Sequence, residues 1–353
     1  MSRPIHAQID LEALKNNLRI AKRLTSSRIM AVIKANAYGH GLLRVAEVLQ
    51  DAEGIGVLDV QDAVSLREAG CRQTILLLEG FFSPEDLALI AEYDLASVIH
   101  NSFQLDSLDA YPRRGKLKVW LKVNTGMNRL GFLPDEVPAV MERLKSHSSV
   151  SEVTLMTHFA HADETNGVAK QFELFKDLSA SYRAPRSVAN SAALLRYSST
   201  HLDWVRPGIM LYGVSPFADT SAQQLGLKPV MTLASEIISM REIKAGESVG
   251  YGGEFRAEQN MKIGVVACGY ADGYPRRAPT GTPILVNGRR TRTLGRVSMD
   301  MLCVDLSNIP DAKTGSRVVL WGEGLPVEEV AHAAGTISYE LLCAIATRVP
   351  VGY

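Results

Sequence analysis

The amino-acid sequence predicts an α/β chain: a (β/α)8 barrel of the TIM type followed by a smaller, mainly β domain. Three observations carry that expectation. Eight short apolar runs alternate with helix-periodic segments through the first part of the chain. A polar, turn-rich stretch, Val214 to Lys228, then breaks the alternation. Beyond it the apolar runs are rich in β-branched residues, with helical patterns returning only near the end. An open doubly wound sheet would share the alternation, but eight strands favour the barrel. The domains are accordingly expected at residues 1–226 and 227–353.

The first element is a helix. In DLEALKNNLRIAKRL, Leu11, Leu14, Leu18 and Ala21 share one face, and Asp10 is placed to cap it. Strands are expected at Ile29 to Ile33, Ile55 to Leu58, Thr74 to Leu78, Leu95 to Ile99, Leu117 to Val123, Val153 to Met156, Ser187 to Ala189 and Leu202 to Val205. Helical patterns lie between them, such as Gln61 to Ala69, stopped by Gly70, and Pro84 to Tyr93, which begins with proline. In the second domain the runs are Met231 to Ile243, Lys262 to Cys268, Ile284 to Val286, Val297 to Leu306 and Val318 to Trp321. Asn287-Gly288 is a two-residue hairpin signal. Helices near Val327 to Ala334 and Tyr339 to Thr347 close the chain.

Lysine plus arginine and aspartate plus glutamate each number 38 of 353 residues, so no bulk charge draws the chain to nucleic acid or to a membrane surface. No apolar run approaches the roughly 20 residues that span a bilayer, and the amino terminus lacks an apolar signal core. A cytoplasmic protein is expected. Cys71, Cys268, Cys303 and Cys343 have no CxxC spacing and read as reduced, mostly structural thiols, with no metal site.

With no bulk field to exploit, function must lie in a local site, and a barrel builds its site at the carboxyl ends of its strands. Lys34 ends the first strand, Arg129 lies in the loop NTGMNRLGF after the fifth, and His158 ends the sixth. Asn190-Ser191 follow the seventh strand, and Arg206-Pro207-Gly208-Ile209 follow the eighth. Taken singly, each has a plainer reading: a solvated lysine or arginine, or a serine that caps the next helix. Together they suggest a lysine that forms a Schiff base with an aldehyde, for which pyridoxal phosphate is the usual partner. Ser191 and the backbone amides of Gly208 and Ile209 suit a phosphate cradle.

The motifs AVIKANAYGHG, LKVNTGMNRLGF, MTHFAHAD, NSAA, VRPGIMLYG, VGYGG, GYADGYPR, GRVSMDM and SYEL together resemble the alanine racemases, nearly from end to end. The resemblance implies a pyridoxal-phosphate enzyme that interconverts L-alanine and D-alanine, with the cofactor bound covalently to Lys34. It implies two bases on opposite faces of the substrate α-carbon, Lys34 and, from the second domain of a partner subunit, Tyr251. Arg206 matches the arginine facing the pyridine nitrogen, where fixed positive charge disfavours ring protonation and side reactions such as transamination. His158 would hold Arg206 in orientation. Arg129 matches the arginine that meets the cofactor phenolic oxygen and the substrate carboxylate, and Lys122 matches a lysine that many members carry carbamylated. Tyr38, Ser191, Gly208, Ile209 and Tyr339 would contact the phosphate. Met299 and Tyr270 would line the substrate side, and Asp163 and Arg296 the access corridor, which Tyr270 also borders.

A homodimer with shared sites follows from the resemblance, as does a role in supplying D-alanine for peptidoglycan or in alanine catabolism. His161, in HFAHAD, stands where many relatives have a smaller residue. A broad-spectrum amino-acid racemase would share the same apparatus with a wider pocket. A decarboxylase would instead present a carboxylate to the pyridine nitrogen, and a non-enzymatic cofactor-binding barrel would leave Tyr251 without a purpose.

Overall fold

The computed structural model describes residues 3–111 and 115–353. After a first strand, β1 (His6–Ile9), eight strands alternate with helices: β2 (Arg28–Val32), β3 (Gly54–Val57), β4 (Thr74–Leu77), β5 (Ala96–Ile99), β6 (Leu117–Lys122), β7 (Val150–Met156), β8 (Arg186–Ser187) and β9 (Trp204–Val205). All eight run parallel, and β2 pairs with β9 through Arg28↔Trp204 and Ile29↔Val205 to close the barrel. The alternation is thus a barrel and not an open sheet. The two shortest strands are β8 and β9; Leu202 adopts a φ of 48° and lies outside β9.

The barrel interior is filled by Met30, Leu76, Ala96, Val98, Trp120, Met156 and Trp204, drawn from six strands. Trp120 and Trp204 pack with ring centroids 5.6 Å apart, and the Arg28 guanidinium covers Trp204 at 4.2 Å. Filling the interior with large side chains leaves open space only beyond the strand ends. Outside the barrel, the helix Leu11–Leu24 starts as expected, the Asp10 side chain accepting from the Ala13 amide, and it buries Leu14, Leu18 and Ala21.

Between β2 and the helix Leu42–Val48 the chain makes a left-handed turn. Ala35, Asn36, Ala37 and Tyr38 have φ values between 52° and 54°. Each such non-glycine residue costs about 1–2 kcal/mol relative to the right-handed form, so the turn persists because its surroundings hold it. The amide of Ala37 donates to the Ile33 carbonyl at 2.9 Å and that of Gly41 to Asn36 at 3.0 Å. The Asn36 side chain accepts from the Leu42 amide at 2.9 Å, capping the next helix. At Gly39, φ is 80° and a Cβ would lie 2.3 Å from the Leu342 carbonyl oxygen, so only glycine fits there.

The second domain is built on β10 (Met231–Ile243), β11 (Ser248–Val249), β12 (Phe255–Arg256), β13 (Met261–Val266), β14 (Pro283–Val286), β15 (Arg289–Leu294), β16 (Leu302–Asp305), β17 (Arg317–Trp321) and β18 (Val351–Gly352). The larger sheet runs β13-β16-β15-β14-β17-β10-β1-β18, and β13 also pairs with β10, closing six of the strands into a ring. Asn287 and Gly288 form the expected hairpin turn, both with positive φ. The first strand departs from the expected arrangement. β1 pairs with β10 and β18 in the second sheet, so the amino terminus of the expected barrel segment is structurally part of the second domain. The closing helix is also shorter than expected, spanning Ser338–Cys343.

Candidate active site

A cavity of about 700 Å³ lies at the carboxyl ends of the barrel strands, within the range of small-molecule sites. Lys34 enters it directly after β2, Lys122 from the end of β6, and Arg129 from the loop after β6. His158 follows β7, Ser191 follows β8, and Arg206, Gly208 and Ile209 follow β9. Tyr38 reaches the cavity across the left-handed turn, Asp163 from the loop beyond His158, and Tyr339 from the last helix. With Asn190, beside Ser191, twelve of the residues singled out from the sequence therefore line one cavity.

Four of them, Lys34, Lys122, Arg129 and Arg206, are cations. Arg206 is 4% exposed and among the described residues its side chain meets only neutral acceptors: Ser187 Oγ at 2.6 Å, the Thr157 carbonyl at 2.7 Å and His158 Nδ1 at 3.5 Å. Burial pushes its pKa down to about 10, which still leaves it charged at neutral pH. Burial, reinforced by the charge of Arg206 and then by Lys122, Arg129 and Lys34, holds His158 well below the usual imidazole value, so its ring is neutral and can accept from Arg206. Lys122 is 7% exposed; burial, then Arg206 and Arg129, push it down to about 8.

Ser191 is not the cap of the helix it opens. Asn190 caps that helix, its Oδ1 accepting from the Ala193 amide at 3.0 Å. Ser191 Oγ instead accepts from the Gly208 amide at 2.8 Å and the Met210 amide at 3.4 Å, tying the loops after β8 and β9 together. A Cβ on Gly208 would lie 2.6 Å from the Tyr38 hydroxyl oxygen, so the hydroxyl occupies the space glycine leaves. Burial pushes Tyr38 up and Tyr339 up to about 12, so both are neutral hydroxyls able to donate.

This set suits pyridoxal phosphate. An amine stands at one point of the cavity, and hydroxyls and small-residue backbone stand at another. In the same lining, a buried guanidinium with no carboxylate partner among the described residues calls for an anionic or electron-rich group.

Four residues lie elsewhere. Tyr251, Tyr270, Met299 and Arg296 are not in this cavity but on the surface of the second domain, Tyr251 71% and Met299 53% exposed. Arg296 pairs with Glu254, beside Tyr251. His161 turns to Glu164, its Nδ1 3.0 Å from the carboxylate, and is not among the cavity residues.

Sequence reasoning passed over Glu79 and Cys343, which also line the cavity. Glu79 ends an apolar run, Thr74 to Leu78, just as Lys34 does, and the same signal could have found it. Cys343, read as structural, faces the cavity as a free thiol whose pKa burial raises.

The profile of the alanine racemase N-terminal domain matches residues 9–216, and that of the alanine racemase C-terminal domain matches residues 230–353. The chain belongs to the alanine racemase family. Within that family, the alanine racemase of Nitrosospira multiformis is 59% identical over 353 residues, and the catabolic alanine racemase of Klebsiella aerogenes 50%; each alignment covers 99% of both chains. The crystal structure of the biosynthetic alanine racemase from Pseudomonas aeruginosa, 49% identical, superposes with a TM-score of 0.98 over 99% of each chain. The family is pyridoxal-phosphate dependent. No described helix is long and apolar enough to cross a membrane.

Proposed function

We propose that this chain interconverts L-alanine and D-alanine as a homodimer, with pyridoxal phosphate joined covalently to Lys34. The single observation that supports this reading most strongly is Arg206, a buried cation held by neutral acceptors and lining the same cavity as a lysine amine. Pyridoxal phosphate supplies the electron sink that acidifies the α-hydrogen of an amino acid joined to it, and the fixed charge of Arg206 limits how far that electron density is stored in the ring.

The chain's own groups do the rest. Tyr38, Ser191, Gly208, Ile209 and Tyr339 hold the phosphate end. Arg129 orients the substrate carboxylate through its planar fork, and Lys122, carbamylated, supports Arg129 with a negative charge. His158 and Ser187 fix the orientation of the Arg206 guanidinium. Lys34 Nζ takes or returns the α-proton on one face. On the other, the Tyr251 hydroxyl oxygen of the partner subunit does the same, because one base alone would return the proton to the face it left. Racemisation needs both groups within about 3–3.5 Å of the carbon.

Exposure of Tyr251 and Met299 outside the lining of their own chain's cavity supports the shared arrangement, in which two-fold symmetry completes two sites at once. Tyr270 and Met299 then narrow the space around a methyl side chain, and Asp163 and Arg296 border the corridor. The product, D-alanine, serves peptidoglycan supply, or the reverse reaction serves alanine breakdown. L-alanine incubated in deuterated water with the holoenzyme should yield D-alanine deuterated at the α-carbon, and none with Lys34→Ala. Cofactor absorbance without exchange or product would refute the activity.

A further inference from the structure

His40 takes no part in the chemistry above, yet it is fully buried against the turn that carries Tyr38. Its Nδ1 lies 2.8 Å from the Tyr38 carbonyl oxygen and 3.1 Å from that of Ala37. Two acceptors at one ring nitrogen require a proton there, so Nδ1–H donates to both. Burial pushes the ring's pKa down to about 4, and Nε2 remains bare, with no partner among the described residues. An unmatched buried nitrogen weakens the fold, so the ring's presence needs another reason.

Its neighbours supply one. The ring packs on Tyr212 with centroids 4.7 Å apart, and Tyr38 stacks on the same Tyr212 at 4.5 Å. The Tyr212 hydroxyl donates to the Val32 carbonyl at 3.1 Å, on β2 two residues before Lys34. From the second domain, the Tyr353 hydroxyl donates to the His40 carbonyl at 3.3 Å. The turn's end is thereby fastened to the strand that begins it.

We infer that His40 is a positioning residue: its bonds to the Ala37 and Tyr38 carbonyls and its contact with Tyr212 lock the left-handed turn so that the Tyr38 hydroxyl sits over Gly208, where phosphate is received. Lys34 opens the turn directly after β2, four residues before Tyr38, whereas the His40 bonds are made to its far end, at Ala37 and Tyr38. The inference rests on the reading that Lys34 and Tyr38 serve the two ends of one phosphorylated aldehyde.

The test compares binding of pyridoxal phosphate and of phosphate-free pyridoxal to the cofactor-stripped protein, followed by absorbance. His40→Phe keeps a ring on Tyr212 and removes the donor. Affinity for pyridoxal phosphate should fall about tenfold while that for pyridoxal stays within about twofold, and His40→Asn, which restores a donor, should recover most of the loss. Unchanged phosphate discrimination in His40→Phe, or an equal fall for both aldehydes, overturns the inference. Should His40→Phe fail to melt cooperatively, the same ratio is read in Tyr212→Phe, which cuts the tether to Val32; an unchanged ratio there also overturns it. A wild-type protein that binds neither aldehyde refutes the cofactor reading itself, and the inference with it.

Discussion

Asp272 joins both ends of the chain to the loops that present Tyr270 and Met299, and replacing it with asparagine should be felt in stability. Its carboxylate is 0% exposed and accepts from Arg3 Nη1 at 2.7 Å, Arg348 Nε at 2.8 Å and the Gly269 amide at 2.9 Å. Arg348 continues to Asp300 at 2.6 Å, next to Met299. Breaking a fully buried ion pair costs about 3–5 kcal/mol. Here the two guanidiniums are 38% and 41% exposed and water recovers part of the loss, so Asp272→Asn should cost about 2–3 kcal/mol at pH 7. Burial acts to raise the Asp272 pKa, but the bonds from Arg3, Gly269 and Arg348 outweigh it and the carboxyl lies below its ordinary value. A depressed folded pKa contributes stability that is complete above the unfolded value, near 4, and is lost as pH falls through the folded one. Denaturant melts of the two proteins should therefore differ fully between about pH 5 and 7, with the gap beginning to close as pH falls below about 4. A gap below about 0.5 kcal/mol at pH 7, or one that does not change with pH, would refute the reasoning.

Three further outcomes follow from the site. Lys122, pushed down to about 8, has roughly a tenth of its amine neutral at pH 7 and more at pH 8, so 13C-bicarbonate should give a carbamate signal that forms faster at pH 8 and is missing in Lys122→Arg; a signal unaffected by that substitution would contradict the assignment. Gly208→Ala puts a methyl 2.6 Å from the Tyr38 hydroxyl oxygen, so cofactor affinity should fall about tenfold or more by equilibrium dialysis; an unchanged affinity would contradict the placement of Tyr38. His161→Ala removes only the surface pair with Glu164 and should leave turnover within about twofold at all pH values; a large, pH-dependent rise would show that His161 gates the entrance.

Most of the barrel side of the site is visible in the sequence because barrel geometry converts "charged residue at the end of an apolar run" into "residue in the cavity". Lys34 is found by that rule, and Glu79 obeys it equally well. The left-handed turn is not visible. Ala35, Ala37 and Tyr38 carry no local signal for positive φ, and the single Asn36 is too little to mark a run of four; contacts with Tyr212, Leu342 and His40 hold it. β1 is too short for its alternation to stand out, and its partners Ala234 and Val351 are distant in sequence. The neutral acceptors of Arg206 come from Ser187 and Thr157, pairings that exist only once the barrel closes. The place of Tyr251 is read from resemblance alone, since its own domain presents it on an open surface.

Sharing of the site between subunits is the most consequential part of the proposed mechanism, and it can be measured by complementation. Lys34→Ala and Tyr251→Ala chains, each inactive, are dissociated, mixed in equal amounts and allowed to reassociate. Half of the random dimers then hold one chain of each kind and, with shared sites, one intact site of two, so activity should return to about a quarter of wild type. Activity no greater than the sum of the two variants, with heterodimers demonstrated by mass, would show that Lys34 and Tyr251 do not meet across the subunits.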